Sequence, residues 1–178
     1  WREADVDVVE AVEYLEYYSQ CMLELAQGKI LPRAPGEHNL YRYQPRGVAV
    51  VIAPWNFPAA ILTGMASAAL VSGNAVILKP AEQSSVTAWH ICRLLRQAGV
   101  PPSVIQCLAG RGTDVGASLV RHAGTHVTLF TGSKTVGLGI VRASAQGGSG
   151  QRFVKHVVAE MGGKNALIVD ADADLETA

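Results

Sequence analysis

The sequence has few cysteines, no excess of charge and no long apolar run. Its 178 residues include 15 basic and 15 acidic side chains, so no net charge attracts the chain to nucleic acid or to an anionic membrane. The cysteines, Cys21, Cys92 and Cys107, are odd in number and widely spaced, which excludes a disulfide framework and a metal knuckle. We therefore expect a reducing compartment, the cytoplasm. No apolar segment approaches the roughly 20 residues of a membrane span, and the first residues lack a signal-peptide pattern.

Size and composition favour one folded unit. A chain of this length holds about one domain, and 49% hydrophobic against 17% charged residues argues against disorder. The histidines show no metal-ligand spacing, so no metal site is predicted. The chain begins at Trp1, and residues 172–178 are typical of the first turn of a helix, with acidic side chains at its start. We therefore expect the chain to be a fragment.

Apolar, β-branched runs alternate with helical patterns along most of the chain. A long amphipathic helix is predicted over 4–26, with a loop over 29–46. The runs typical of buried strands are 47–53, 75–78, 104–108, 126–130, 154–159 and 166–169. The helical patterns between them are 58–71, 84–98, 113–122 and 133–145. This alternation predicts an α/β fold, a parallel sheet with helices on both faces, preceded by a helical segment and arm over 1–46.

Local signals predict where the helices end. Gly28 is a plausible stop for the first helix, and Ser84 with Ser85 suits the N-terminal cap of the helix over 84–98, which ends at Gly99. The apolar side chains that share one face of the first helix are Val8, Ala11, Val12, Leu15, Tyr18, Met22 and Leu25.

Polar and glycine-rich segments follow the predicted strands. They are Pro54–Pro58, Lys79–Glu82, Gly110–Gly112, Thr131–Ser133 and Glu160–Asn165. A parallel open sheet binds ligands beyond the carboxyl ends of its strands, where these segments would meet. The sequence therefore predicts one ligand site at this edge of the sheet.

Three side chains in these segments suit a nucleotide or a polar substrate. Asn56 stands in a turn between two prolines and is able to donate to a developing oxyanion, or it makes an ordinary Asx-turn. Lys79 suits a ribose hydroxyl or a phosphate, and Glu82 suits ribose hydroxyls. The alternative for this pair is a solvated loop with a weak ion pair. Spacing alone leaves these alternatives open.

The glycines approach two phosphate-binding motifs without matching either. Gly110, Gly112 and Gly116 miss the dinucleotide fingerprint by one residue in the final spacing. Gly132–Gly137 has the glycine spacing of a nucleoside-triphosphate loop, but Leu138 and Gly139 stand where lysine and serine or threonine belong, so a triphosphate hydrolase is excluded. What remains is a turn before a helix, where backbone N–H groups and the Ser133 hydroxyl suit a diphosphate, or simply a tight turn.

Glu160 ends an apolar strand and precedes two glycines. A carboxyl group there is expected to be partly removed from water, as suits a general base, or to pair with Lys164 or Lys155. The cysteines, in contrast, lie inside helical and strand patterns rather than at a turn that would favour a thiolate, so we interpret them as core residues.

Four motifs, in one order, resemble those of the aldehyde dehydrogenase superfamily. They are PWNFP at 54–58, KPAE at 79–82, FTGS at 130–133 with Gly137, and EMGGKN at 160–165. The resemblance spans essentially the whole chain. It implies a Rossmann-like sheet that binds NAD without the strict glycine fingerprint, over 47–178.

Within this superfamily, three segments resemble the 1-pyrroline-5-carboxylate dehydrogenase family. They are 4–18, 51–65 and 147–158, the last of which lengthens the stretch before the Glu160 motif. That family implies NAD-dependent oxidation of L-glutamate γ-semialdehyde to L-glutamate, in proline catabolism. Its domain also occurs fused behind a flavin-dependent proline dehydrogenase.

The resemblance implies roles for individual residues. Asn56 donates to the oxyanion of a thiohemiacetal, and Glu160 activates water. Because a carboxylate at Glu82 repels a 2′-phosphate, NAD is expected rather than NADP. The residues implied to line the cofactor site are Ala53, Pro54, Trp55, Lys79, Glu82, Gly112, Val115, Gly132, Ser133, Val136, Met161 and Gly162.

The resemblance also implies missing parts. The catalytic cysteine of the family lies beyond Glu160, and residues 165–178 contain no cysteine. The chain is therefore expected to bind cofactor without oxidising an aldehyde by itself. Its implied partners are a small aldehyde, the missing catalytic domain, a fused proline dehydrogenase domain in some relatives, and further copies in a homo-oligomer. The alternatives are another aldehyde or semialdehyde dehydrogenase, and a non-catalytic nucleotide-binding module.

Overall fold

A five-stranded parallel sheet forms the centre of the molecule. The computed structural model describes residues 1–174 and 176. In chain order, the elements are α1 (Arg2–Ala26), β1 (Lys29–Ile30), β2 (Leu40–Tyr41), β3 (Val48–Ile52), α2 (Ala60–Val71), β4 (Ala75–Lys79), a 3₁₀ turn (Glu82–Ser84), α3 (Ser85–Gln97), β5 (Ile105–Cys107), a π-helical turn (Gly112–Gly116), α4 (Ala117–Arg121), β6 (Val127–Gly132), α5 (Lys134–Ala145) and β7 (His156–Met161). The sheet order is β5-β4-β3-β6-β7, and β1 pairs with β2 separately. The predicted α/β class is confirmed.

The sheet is covered on both faces because alternate residues of each strand point to opposite sides. On β3, Ala49 and Val51 pack with residues of α2 and α3, such as Leu62. Val50 and Ile52 pack on the other face with residues of α4 and α5. A central strand buried on both faces reads as a continuous β-branched run, which is why this strand was visible in the sequence.

The register places the ends of four strands side by side. Ile52, the last residue of β3, is paired with Lys79 at the end of β4 and with Phe130 in β6. Thr131 of β6 is paired with Glu160 of β7. The segments that follow these strands therefore lie along one edge of the sheet, as predicted.

Helix α1 is attached to α2 by a close approach and a cap. A Cβ atom at Gly64 would lie 2.9 Å from the ring of Tyr14, so only glycine allows this contact. The carboxylate of Asp7 accepts hydrogen bonds from the backbone N–H groups of Ala59, at 3.0 Å, and Ala60, at 2.9 Å. These bonds satisfy N–H groups at the start of α2 that have no partner within the helix.

The predicted apolar face of α1 is only partly correct. Ala11 is buried, and Leu15, Tyr18 and Met22 are partly buried, but Val8, Val12 and Leu25 are exposed. The stripe of α1 that meets α2 also contains Asp7, which caps α2, and Tyr14, which contacts Gly64. At 25 residues α1 is the longest helix, yet no helix in the described part of the chain is long and apolar enough to cross a membrane.

Two helix starts differ from the prediction. The helix predicted over 113–122 divides into the π-helical turn and the short helix α4. Neither Ser84 nor Ser85 caps α3, because a 3₁₀ turn precedes it and both hydroxyls donate to the carbonyl of Ala81 at 3.3 Å. The predicted helix ends are confirmed, with φ +68° at Gly28 and +108° at Gly99.

The strand predicted over 166–169 is wrong. Residues 162–170 form no strand, and Leu167 and Ile168 are 82% and 90% exposed. A strand requires a neighbouring strand for its backbone hydrogen bonds, and none in the described part of the chain pairs with this run. The helical turn predicted over 172–178 is not seen at 172–174, and Leu175, Thr177 and Ala178 lie outside the described residues.

Two buried threonines are expected to respond oppositely to the same substitution. Thr128, 0% exposed, has no hydrogen-bond partner for its hydroxyl among residues 1–174 and 176, whereas Thr125, 2% exposed, donates to the carbonyl of Leu119 at 2.7 Å. T128V should raise the free energy of unfolding by about 1 kcal/mol, and T125V should lower it by about 1–2 kcal/mol. Urea denaturation measures both, and a change of the same sign in the two variants contradicts the assignment.

Candidate active site

The carboxyl edge of the sheet opens into a cleft of about 1180 Å³. A cleft of this size accommodates a ligand of cofactor dimensions. The predicted site residues that line it are Ala53, Pro54, Trp55, Asn56, Lys79, Glu82, Gly112, Gly132, Ser133, Val136, Glu160, Met161 and Gly162. Val115 does not line the cleft; its side chain packs against the backbone of Gly110 in the preceding loop.

Two helices supply a wall that the sequence analysis missed. Residues of α4 and α5, two helices that contact each other, line the cleft, and Val120, Phe130 and Ile140 also belong to the core. The lining residues outside the predicted segments include Thr113, Gly116, Ala117, Val120, Arg121, Gly139, Ile140 and Ala143. Their spacing of three or four residues is the signal of one helix face, but periodicity alone does not tell a ligand-facing stripe from a core-facing one.

The loop after β3 holds Asn56 at the mouth of the cleft. Phe57, the next residue, has φ +50°, a left-handed conformation that non-glycine residues rarely adopt. The side chain of Asn56 is exposed and makes no hydrogen bond to residues 1–174 and 176, so the structure shows no Asx-turn there. Its amide is therefore available to a ligand.

Lys79 and Glu82 form an ion pair in which the lysine is buried and the glutamate is half exposed. Lys79 is 3% exposed, and its Nζ lies 3.9 Å from Oε1 of Glu82. The same Oε1 accepts a hydrogen bond from the backbone N–H of Gly112 at 2.9 Å. Bonds from the backbone N–H groups of Glu82 itself and of Gly112, together with the Lys79 charge, lower the pKa of the Glu82 carboxyl. An ionised acceptor thus stands at the edge of the cleft.

The start of α5 presents backbone donors to the cleft. Ser133 is the N-cap residue, and its hydroxyl accepts from the N–H of Val136 at 3.4 Å. The first N–H groups of a helix have no partner within it and carry partial positive charge. Because Gly132 and Ser133 line the cleft, this helix start suits a diphosphate.

Glu160 lies in the cleft but is not buried. Its side chain is exposed, so the predicted removal from water is wrong for this chain. The cause is its place on β7, an edge strand whose outer face no described residue covers. The alternative ion pairs are also absent from the described residues, because Lys155 and Lys164 donate to backbone carbonyls.

The cysteines lie away from the cleft. Cys92 is buried in the core between α3 and the sheet, Cys107 is partly buried in β5, and Cys21 is on α1. Burial, and secondarily the neighbouring Cys92, raises the pKa of the Cys107 thiol. None of the cysteines lines the cleft, so the chain places no thiol nucleophile there.

The profile of the aldehyde dehydrogenase family matches residues 1–178. The chain belongs to the aldehyde dehydrogenase family. Among curated members of this family, the 1-pyrroline-5-carboxylate dehydrogenase of Geobacillus thermodenitrificans is 48% identical over 178 residues, which is all of this chain and 35% of that protein. The chain thus spans about a third of the length of the curated relatives it matches.

Solved structures of the family have the same fold. Proline utilization A (PutA) from Bdellovibrio bacteriovorus, inactivated by N-propargylglycine, is 50% identical with a TM-score of 0.91, over 99% of this chain and 18% of that one. The 1-pyrroline-5-carboxylate dehydrogenase from Thermus with bound NAD is 43% identical with a TM-score of 0.88, over 92% of this chain and 32% of that one. The resemblance seen in the four motifs is therefore confirmed.

The lowered pKa of Glu82 predicts a pH window. Because the folded state depresses this pKa below its ordinary value of 4.5, the ionised side chain adds stability above pH 4.5 that is lost as pH falls through the folded pKa. An NMR titration of the Glu82 carboxyl carbon should have its midpoint below 4.5. G112P removes the N–H donor and should move the midpoint upward; Arg111 before it is already extended, at φ −64° and ψ 141°, as a residue before proline must be.

The control for that titration is R111Q. Arg111 exerts a weaker attraction on the Glu82 carboxylate than either backbone N–H group or Lys79. R111Q should therefore shift the midpoint less than G112P does. A larger shift in R111Q would show that distant charge, not the hydrogen bond, holds Glu82 ionised.

Proposed function

We propose that this chain is the NAD⁺-binding part of a dehydrogenase that oxidises L-glutamate γ-semialdehyde, in equilibrium with 1-pyrroline-5-carboxylate, to L-glutamate. The observation that supports it most directly is the Lys79–Glu82–Gly112 arrangement at the edge of the cleft. Its relatives named 1-pyrroline-5-carboxylate dehydrogenase support the substrate. The three free cysteines support a cytoplasmic location.

The residues present fit the two ends of a dinucleotide. Glu82 has an ionised carboxylate with acceptor capacity for ribose hydroxyls, and Lys79 brings a positive charge beside it. The start of α5 at Ser133 offers unpaired N–H groups to the diphosphate. The bound nicotinamide supplies a hydride acceptor. Because the Glu82 carboxylate repels a 2′-phosphate, we propose NAD⁺ rather than NADP⁺ as the cofactor.

Two further residues of the chain would act on the substrate. The free amide of Asn56 would donate to the aldehyde oxygen as negative charge develops on it. Glu160, at the other end of the cleft, would accept a proton from the water that releases the acid. In the overall reaction the aldehyde and water give the carboxylate, with one hydride and two protons released. The thiol nucleophile would come from outside this chain, because none of its cysteines lines the cleft.

Calorimetric titration of the folded chain with NAD⁺ and then NADP⁺ tests the cofactor. We expect NAD⁺ to bind at least about tenfold more tightly than NADP⁺, and E82Q to narrow this preference by removing the repelling charge. Circular dichroism first confirms that each variant is folded. A folded chain that binds neither nucleotide, or that prefers NADP⁺, contradicts the proposal.

Turnover tests the proposed origin of the nucleophile. The chain mixed with NAD⁺ and γ-semialdehyde should form no NADH, whereas the protein that joins it to a cysteine-bearing domain should form it. In that protein γ-semialdehyde should be a better substrate than acetaldehyde; the opposite order would favour the alternative, a dehydrogenase for another aldehyde. The structural likeness to PutA supports a fused proline dehydrogenase as a further partner of this chain.

A further inference from the structure

A buried lysine at the start of β7 has backbone carbonyls as its partners. Lys155 is 9% exposed, and its Nζ donates to the carbonyls of Val120, at 2.7 Å, and His122, at 2.8 Å. Lysine is rarely this buried without a partner. The one ion pair within residues 1–174 and 176 is that of Lys79 with Glu82, so Lys155 faces carbonyls rather than a carboxylate. Burial lowers the pKa of the Lys155 ammonium.

These carbonyls belong to the end of a helix that is too short to be stable alone. The last carbonyls of α4 have no partner within the helix and carry partial negative charge. Lys155 satisfies two of the carbonyls at this end, and Thr125 satisfies that of Leu119 at 2.7 Å. A helix of five residues depends on such tertiary contacts, because nucleation of an isolated helix is unfavourable.

The same helix is a wall of the cleft. Ala117, Val120 and Arg121 of α4 line it, as does Gly116 immediately before. Val120 shows the link most directly, because its carbonyl accepts from Lys155 while its side chain packs with Phe130 and lines the cleft. Lys155 directly precedes β7, and the other end of β7 carries Glu160 and Met161, which also line the cleft. Lys155 therefore ties one cleft wall to the strand that bears the proposed base.

We infer that Lys155 is a positioning residue for the cofactor, which holds α4 at the distance from β7 that NAD⁺ binding requires. This inference rests on the proposed function, since it concerns the affinity of the same cleft. Lys155 touches no ligand, and acts only through the backbone at Val120 and His122. The Lys155 charge and its donors are both needed, because a neutral side chain would leave the carbonyl of Val120 unsatisfied and would leave that of His122 with the N–H of Thr125, at 3.0 Å, as its remaining donor.

The test compares K155M with K155R and with a matched change elsewhere. K155M keeps an unbranched side chain, one heavy atom shorter, and removes the donors; we expect NAD⁺ to bind about tenfold more weakly. K155R keeps charge and donors and should recover most of the affinity. The matched change is R96M. Nη2 of Arg96 donates to the carbonyl of Ile105 at 2.7 Å, on β5 at the opposite edge of the sheet. R96M removes this cation from outside the cleft, so it should lower stability without lowering NAD⁺ affinity.

Calorimetry gives the NAD⁺ affinities, urea denaturation gives the stabilities, and hydrogen exchange reports on residues 117–122. Faster exchange there in K155M, with weaker binding, supports the inference. Binding unchanged in K155M, or equally weakened in R96M at equal loss of stability, overturns it. If K155M does not fold, K155Q, which keeps one amide donor, takes its place with the same criteria. No NAD⁺ binding by the unsubstituted chain overturns the proposed function itself, and the inference with it.

Discussion

The K79M substitution is expected to weaken NAD⁺ binding by about 10- to 100-fold, the loss that follows when a hydrogen bond from a charged group is removed. Lys79 is buried at the end of β4, and its Nζ is the only cation paired with Glu82 among the residues that the structure describes. The side chain runs beneath the π-helical turn, since a Cβ at Gly116 would lie 3.9 Å from its Cδ and Cε. Methionine keeps this packing and removes the charge, so calorimetry isolates the loss of charge.

The matched control for K79M is K29M. Lys29 is exposed on β1, outside the cleft, so its replacement removes an equal charge without touching the site. Its NAD⁺ affinity should remain within about twofold of the original, because the charge of an exposed side chain outside the cleft is screened by salt. Equal weakening in both variants would show that K79M acts through net charge. No weakening in K79M would remove Lys79 from the binding site.

The parts of the fold that could be predicted are those in which burial determines the amino-acid composition of a segment. Strand β3 reads as a continuous β-branched run because it is buried on both faces, and the alternation of apolar runs with helical patterns predicts the parallel arrangement. The rule that ligands bind at the carboxyl ends of parallel strands then located the cleft without any knowledge of the strand order. The register of Ile52, Lys79 and Phe130 is the physical reason this worked.

The errors occur where contacts between elements decide the outcome. Val8 and Val12 continue the apolar pattern of α1, yet both are exposed, because the stripe that meets α2 contains Asp7 and Tyr14 instead. The run at 166–169 has strand composition but no described strand to pair with. Glu160 is exposed because β7 is an edge strand, and the composition of a strand does not show whether it lies at an edge. Each error depends on which element packs against the segment, and the sequence of one segment does not show its packing partners.

The site was predictable from segments that follow strands and less so from helices. Loop residues such as Asn56 and Glu82 were identified because a strand end fixes where they lie. Val120 and Ile140 were missed because a helical stripe has the same sequence pattern whether it faces the core or a ligand. Each of these two residues packs in the core and also lines the cleft. Val115 was assigned to the cleft, whereas it packs against Gly110.

The G137V substitution is expected to lower the free energy of unfolding by about 2–3 kcal/mol, as overpacking of a close contact does. A Cβ atom at Gly137 of α5 would lie 2.8 Å from Sδ and 3.0 Å from Cγ of Met161, and 3.2 Å from the ring of Phe130. Met161 and Phe130 both line the cleft, so the new side chain would also push them toward it. Urea denaturation measures the stability, and calorimetry measures NAD⁺ affinity, which should fall as well.

Gly139, two residues further along the same helix, supplies the control. A Cβ at Gly139 would meet nothing within 4 Å. G139V should therefore change the free energy of unfolding by less than about 0.5 kcal/mol, because valine and glycine differ little in helix propensity. Equal losses in the two variants would assign the effect to β-branching in α5 rather than to the contact with Met161.

A second-site change identifies the neighbour responsible. M161A removes the sulfur and Cγ that the new valine would contact. The loss in free energy of unfolding of the G137V/M161A double variant should therefore be smaller than the sum of the losses of the two single variants. The coupling between the two sites should be about 1–2 kcal/mol, the range found for residues in direct contact. The contact with Phe130 remains in the double variant, so recovery should be incomplete. Additive losses would place the strain of G137V on Phe130 alone, and the approach of α5 to β7 would then be set by the core rather than by the cleft.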